Sequence, residues 1–346
     1  MKTAYALKCA RNTLGLFRSS FLVGPRRSDK VTFRKEVTNP IWKRAIGLLF
    51  LSLTSVANAL QPTVVVSDLP DLPGPPLVMA VDGDFLYFRT SDGSSDLLYR
   101  IPKASANLTL ATLPPPIVGE PSRGGGINDL AFDASNIFIH IGGYGNGYIW
   151  RLPKTLANGS FLVSTIGGAM MVGVIGSNMY FTHGNSGSIS QIAKIDVSET
   201  NPTNFQDISN YSAYTFFRQK TLDANSIYLT DIYSGNNLAR FDLSTNTEVW
   251  RVPIPSEGHL FSDNSSVYLS PGYTSFGVLK APKQTGQVQT LVPGTNGALG
   301  HVVGGGFVYY VENSTLWAIP SGGGTPINLA SPVDVHNAVY DNGTLY

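Results

Sequence analysis

The chain has 346 residues, of which 42% are hydrophobic and only 14% charged, with 36 Gly, 22 Pro, 11% aromatics and a mean hydropathy of +0.03. Low charge with abundant Gly, Tyr, Phe and Ser excludes disorder, a coiled coil and an all-helical bundle, and points to short strands joined by tight turns in an all-β fold. Residues 1–59 carry eleven Lys/Arg against two Asp/Glu, a net +9, and the rest carry thirteen against twenty-one, a net −8, so the acidic body lacks the basic footprint that nucleic acid requires.

The first predicted element is a secretory signal. Lys43 and Arg44 precede the apolar run 45–53, and the small-residue site Ala57-Asn58-Ala59 predicts cleavage before Leu60. The run is short against the roughly 20 residues of a spanning helix, which argues for cleavage over anchoring and against stable membrane insertion. The polar residues ahead of it are read either as an upstream start, with residues 1–36 untranslated, or as a targeting extension. The sole cysteine, Cys9, lies in this stretch, so an exported chain from Leu60 has no thiol chemistry and no disulfide. The domain reading is therefore a removable 1–59 and a single folded domain over 60–346, secreted or periplasmic.

From residue 77 onward a repeat sets the fold. Seven segments carry a turn followed by an aromatic, at Tyr87, Phe138, Tyr180, Tyr228, Tyr268, Tyr309 and Tyr346, on average about 43 residues apart. Five residues before each aromatic stands a turn position that is Asp at 82, 133, 223, 263 and 341. Asp-Gly, Asp-Ala and Asp-Asn pairs there supply tight turns between a first and a second strand. Third strands follow at Arg100-Ile101-Pro102, Arg151-Leu152-Pro153, Arg240-Phe241-Asp242 and Lys280-Ala281-Pro282. Fourth strands are expected at 108–113, 161–164, 288–292 and 327–330.

Four strands per unit, repeated around an axis, make a β-propeller, whose sheets cover one another's apolar faces. The reading is a seven-bladed ring whose last unit stops at Tyr346, inside its second strand; six blades with a spare hairpin is the alternative. Residues Thr63 to Leu69 read as an outer strand that closes the ring against Val335 to Tyr346.

Tyr228-Leu229-Thr230-Asp231, Tyr180-Phe181-Thr182 and Ile319-Pro320-Ser321-Gly322-Gly323-Gly324-Thr325 resemble the YWTD, NHL and TolB-like repeat propellers. That resemblance implies the architecture. It leaves activity open, because those families include receptors, scaffolds, lactonases and lyases.

No phosphate-binding Gly-x-x-x-x-Gly-Lys-Ser/Thr loop, His-Glu-x-x-His pair or Gly-x-Ser-x-Gly elbow occurs in the sequence, and the glycine clusters at 124–126 and 142–147 fall between strands as turns. Stacking the first strands in register brings polar residues to one level, four before the Asp column: Asp129, Gln219, His259 and Asn337. At the rim of a central channel these form the candidate ligand site. An alternative set, His259, His301 and His336, has the chemistry of a zinc site such as a propeller resembling the amidating lyases requires. Calcium is the other cation considered, although the acidic residues lack the spacing of a calcium loop. His140 and His183 read as structural or exposed. The favoured function is an exported binding module for a protein or small-molecule ligand at the propeller face, without intrinsic catalysis or cofactor; the alternative is a metal-dependent lyase or lactonase working in the channel.

Overall fold

The computed structural model describes residues 7–8, 77–91, 96–103, 118–119, 126–142, 147–156, 159–166, 170–184, 191–198, 205–209, 217–231, 235–271, 277–294, 299–331 and 337–346. The signal-like segment and residues Thr63 to Leu69 lie outside them. Every described element is a strand or a turn, and no helix among these residues is long and apolar enough to cross a membrane.

Six four-stranded antiparallel sheets follow one another along the chain, each with its strands in sequence order. Blade 1 begins at Leu77–Asp82, blade 2 at Ile127–Phe132, blade 3 at Met170–Ile175, blade 4 at Phe217–Leu222, blade 5 at Gly258–Ser262 and blade 6 at Leu299–Gly304. This is a β-propeller of six complete blades, the alternative arrangement of the sequence reading. A seventh four-stranded blade is not present among the described residues. The C-terminal strands Tyr340–Asp341 and Thr344–Leu345 instead form a hairpin, and Leu7–Lys8 pairs with its outer edge, Leu7 opposite Leu345. The N-terminal stretch thus occupies the edge that the sequence reading gave to Thr63 to Leu69.

The predicted blade limits agree with the sheets to within a few residues except in blade 1. There the fourth strand is Val118–Gly119, beyond the prolines at 114–116, and 108–113 lie outside the described residues. The described fourth strand thus starts after these prolines, which lack the N–H that a ladder needs.

Second strands are buried on both sides because each blade is sandwiched between two others. All six residues of Ser226–Asp231 and of Ser266–Pro271 are buried, whereas the outer strand Thr247–Pro253 is largely exposed. The repeat aromatics Tyr87, Phe138, Tyr228, Tyr268 and Tyr309 are each at most 1% exposed, which makes them core anchors. Each such side chain contributes on the order of 1.5–3 kcal/mol by leaving water. Apolar clusters straddle consecutive blades: Tyr87 with Ile137 and Ile139, Phe138 with Met179 and Phe181, Tyr228 with Leu260 and Val267, and Tyr309 with Ala338 and Leu345 of the hairpin. No blade completes its own core, so the domain is stable only as a ring.

The Asp column makes turns as expected. Asp133 Oδ1 accepts the N–H groups of Ser135 and Asn136 at 2.6 Å each, and Asp223 and Asp263 accept the matching pairs at 2.7–3.0 Å. These side chains replace backbone partners that a two-residue connection cannot supply. In blade 3 the column residue is Ile175, and Gly176 at φ +60° turns the chain instead.

Candidate functional site at the channel rim

The first strands carry β-bulges, and these decide which column residues share a level. In blades 2 and 4 the extra residue lies beyond the column, so Asp129 sits opposite His140 and Gln219 opposite Thr230. In blades 1, 3 and 6 it lies on the turn side, which moves Val78, Met171 and Gly300 one step inward, opposite Phe88, Phe181 and Tyr310. Blade 5 pairs without a bulge and leaves His259 opposite Ser270, level with Asp129 and Gln219. A bulge shifts every residue beyond it by one place, so the single column of the sequence divides into two tiers.

Three side chains from three blades converge at the outer tier. Asp129 Oδ2 stands 2.6 Å from Lys220 Nζ of blade 4, while Asp129 Oδ1 accepts the Leu130 N–H at 2.9 Å. The Asp129 charge is also felt by His259 of blade 5. His259 is exposed as a residue at the rim, and its ring lies 5.7 Å from the Phe261 ring. Crowding by the surrounding blades strips enough water to push its pKa below the ordinary histidine value; a hydrogen bond with the Gly300 backbone and the Asp129 charge oppose that shift without cancelling it. The net direction favours the uncharged ring.

The structure thus joins Asp129 and His259 and adds Lys220, which the sequence reading passed over. Lys220 is one residue from the polar column, and only a search for the cation that neutralises Asp129 would have singled it out. Gln219 shares the tier, and its N–H binds Thr230 Oγ1 at 3.1 Å. Asn337 lies at the entry to the C-terminal hairpin, where its Oδ1 accepts the Ala338 N–H at 2.9 Å, the same local bond that Asp129 makes to Leu130. His336 lies outside the described residues, and of His301 only the backbone is described, as the extra residue of the blade 6 bulge. Among the described residues no three His, Cys, Asp or Glu side chains stand close enough together to hold a metal ion. His140 is buried on the second strand of blade 2, and His183 Nε2 lies 2.6 Å from Asp207 Oδ1 within blade 3.

Comparison with solved structures finds other proteins of similar fold. The computationally designed Ika8 protein matches with a TM-score of 0.50 at 11% identity, over 79% of this chain and 93% of that one. An oligogalacturonate lyase in complex with manganese matches with a TM-score of 0.50 at 12% identity, over 77% and 78%. TolB from Acinetobacter baumannii matches with a TM-score of 0.47 at 18% identity, over 71% of this chain and 64% of that one. The likeness is one of fold. No family model and no curated protein matches the sequence.

Proposed function

We propose that this chain is an exported β-propeller that binds a ligand or protein partner at the channel rim, without intrinsic catalysis. The observation that carries this reading is the Asp129–Lys220 ion pair, which links blades 2 and 4 at the level of His259. It presents opposite charges from rigid strands, already oriented toward each other, so little conformational freedom is lost when a polar partner docks. Export is supported by the basic, apolar and small-residue succession over 43–59.

The second reading, a metal-dependent lyase or lactonase with zinc or calcium in the channel, draws on one feature: the pKa of the rim residue His259 is lowered, which favours the uncharged imidazole that binds metals. One experiment separates the two. A photo-crosslinking residue is placed at position 259, and in a control at the exposed outer-strand position Val249. The binding reading expects a discrete adduct from position 259 alone, weakened by Lys220→Ala. Identical adducts from both positions would overturn it, as would a stoichiometric metal in the purified chain that is lost on His259→Ala.

A further inference from the structure

At the turn end of the strands, about 13 Å from the rim along blade 2, the blades are tied together by a repeated device. Lys154 Nζ of blade 2 stands 2.7 Å from Asp82 Oδ2 of blade 1, and Lys283 Nζ of blade 5 stands 2.7 Å from Asp223 Oδ2 of blade 4. In both cases the earlier blade also donates an arginine to the backbone of that lysine: Arg100 to the Lys154 carbonyl at 2.9 Å, and Arg240 to the Lys283 carbonyl at 3.1 Å.

Between blades 2 and 3 the frame is the same and the lysine is missing. Arg151 Nη1 donates to the carbonyl of Val197 at 3.0 Å, so Val197 stands where Lys154 and Lys283 stand elsewhere. Asp133 is present and forms its turn. However, the aromatic of its blade is Phe138, which has no hydroxyl to offer, whereas Tyr228 donates to Asp223 Oδ2 and Tyr268 to Asp263 Oδ2. Among the described residues Asp133 Oδ2 receives only Asn136 Nδ2, at 2.9 Å. A groove of about 790 Å³ opens at this interface, lined by Asp133, Arg151, Pro153, Ser160, Ser177 and Val197, among others.

We propose that this groove receives the lysine side chain of a protein partner, whose ammonium takes on Asp133 the place that the chain's own lysines take on Asp82 and Asp223. Pro153 and Val197 give the methylene stem an apolar bed, and the serine hydroxyls line edges where a flanking peptide backbone bonds. The volume exceeds what one alkylammonium fills, which favours a lysine within a peptide over a free amine. A carboxylate accepting an ammonium in a half-enclosed groove makes a charge-assisted bond that a neutral isostere cannot replace. The site is separate from the rim, and neither its presence nor its failure bears on the rim reading.

The test is an NMR titration of the labelled protein with an end-blocked Ala-Ser-Lys-Ser-Ala peptide, its norleucine counterpart and n-butylamine. The lysine peptide is expected to shift residues 133–136, 176–177 and 197–198 with a Kd of about 1 mM or tighter, and the norleucine peptide to bind at least roughly tenfold more weakly. Asp133→Asn keeps an oxygen for the turn and is expected to lose the preference for lysine. Val197→Lys is expected to close the groove from within, abolishing peptide binding and raising the unfolding midpoint; Lys283, buried at the equivalent place, shows that the position admits the stem. Equal binding of the two peptides, butylamine binding as tightly as the peptide, or no shifts at about 10 mM would each overturn the proposal.

Discussion

Lys103 Nζ of blade 1 stands 2.7 Å from Asp341 Oδ2 of the C-terminal hairpin, residues 238 positions apart in the chain. The distance and the two positions are those of Lys154–Asp82 and Lys283–Asp223, in which a lysine at the exit of a third strand reaches the turn of the preceding blade. The hairpin therefore stands before blade 1 as blade 1 stands before blade 2. On its other side Tyr340 stacks on Tyr309 of blade 6 at 5.8 Å and 22°. Contacts to both neighbours make the hairpin the closing piece of the ring.

The Lys103–Asp341 pair is partly open to water, with side-chain exposures of 19% and 27%. A double-mutant cycle with Lys103→Met and Asp341→Asn in urea is expected to give a coupling of about 0.5–1 kcal/mol. A coupling of zero would mean that the pair does not help to close the ring.

Acid stability is expected to depend on the same belt. Burial raises the pKa of the Asp223 carboxyl, but the Lys283 ammonium, the Asn225 N–H and the Tyr228 hydroxyl outweigh it and leave the pKa below the ordinary carboxylate value. A carboxylate held low in the folded state adds stability above its unfolded pKa, near 3.9, and loses it as pH falls through the folded value. Asp223→Asn is expected to unfold at a lower temperature than the wild type at pH 6, with the difference shrinking as pH falls below about 4. A difference that stays constant down to pH 2.5 would assign the loss to packing instead.

The sequence made the blades legible because each repeats the same local chemistry: an Asp or Gly that turns the chain, then an aromatic that anchors a doubly buried strand. Tyr87, Tyr228 and Tyr268 mark the repeat in the sequence by their spacing, and the structure shows them buried. The rim was half legible. Asp129 and His259 stand in the polar column of the sequence, but their level depends on bulges, which cost one residue each and leave no composition signal. The Lys220 partner was missed for the same reason, since its reach to Asp129 spans two blades. Ties such as Lys283 to Asp223 join residues 60 apart and could be seen only once the blades were set side by side.

Packing at the closing hairpin gives a sharper test than its charges. A Cβ on Gly304 of blade 6 would run into the Tyr340 ring. Gly304→Ala is expected to cost about 1–3 kcal/mol through overpacking at this seam, and the cost is expected to fall when Tyr340 is also changed to Ala. Additive losses would place the damage within blade 6 rather than at the hairpin.

The outer edge of that hairpin decides how a chain cleaved before Leu60 would be held closed. Thr344–Leu345 pairs with Leu7–Lys8, and cleavage before Leu60 would remove that partner and leave the edge open. An open edge next to the seam between blades 6 and 1 exposes ladder groups and part of the Leu345 packing. Thr63 to Leu69, with Val64, Val65 and Val66 in succession, is the next segment along the chain with strand character, and we expect it to take the place of Leu7–Lys8 once residues 1–59 are gone. A chain starting at Leu60 should then unfold at nearly the same temperature as the full-length chain. A chain starting at Pro70 should unfold about 5–10 °C lower, the shift expected when one or two half-buried valines and an edge strand are lost from a domain of this size. Val65→Pro, which removes a ladder donor without shortening the chain, should reproduce part of that drop. Equal midpoints for the chains starting at Leu60 and Pro70 would show that the hairpin closes the ring without a third strand.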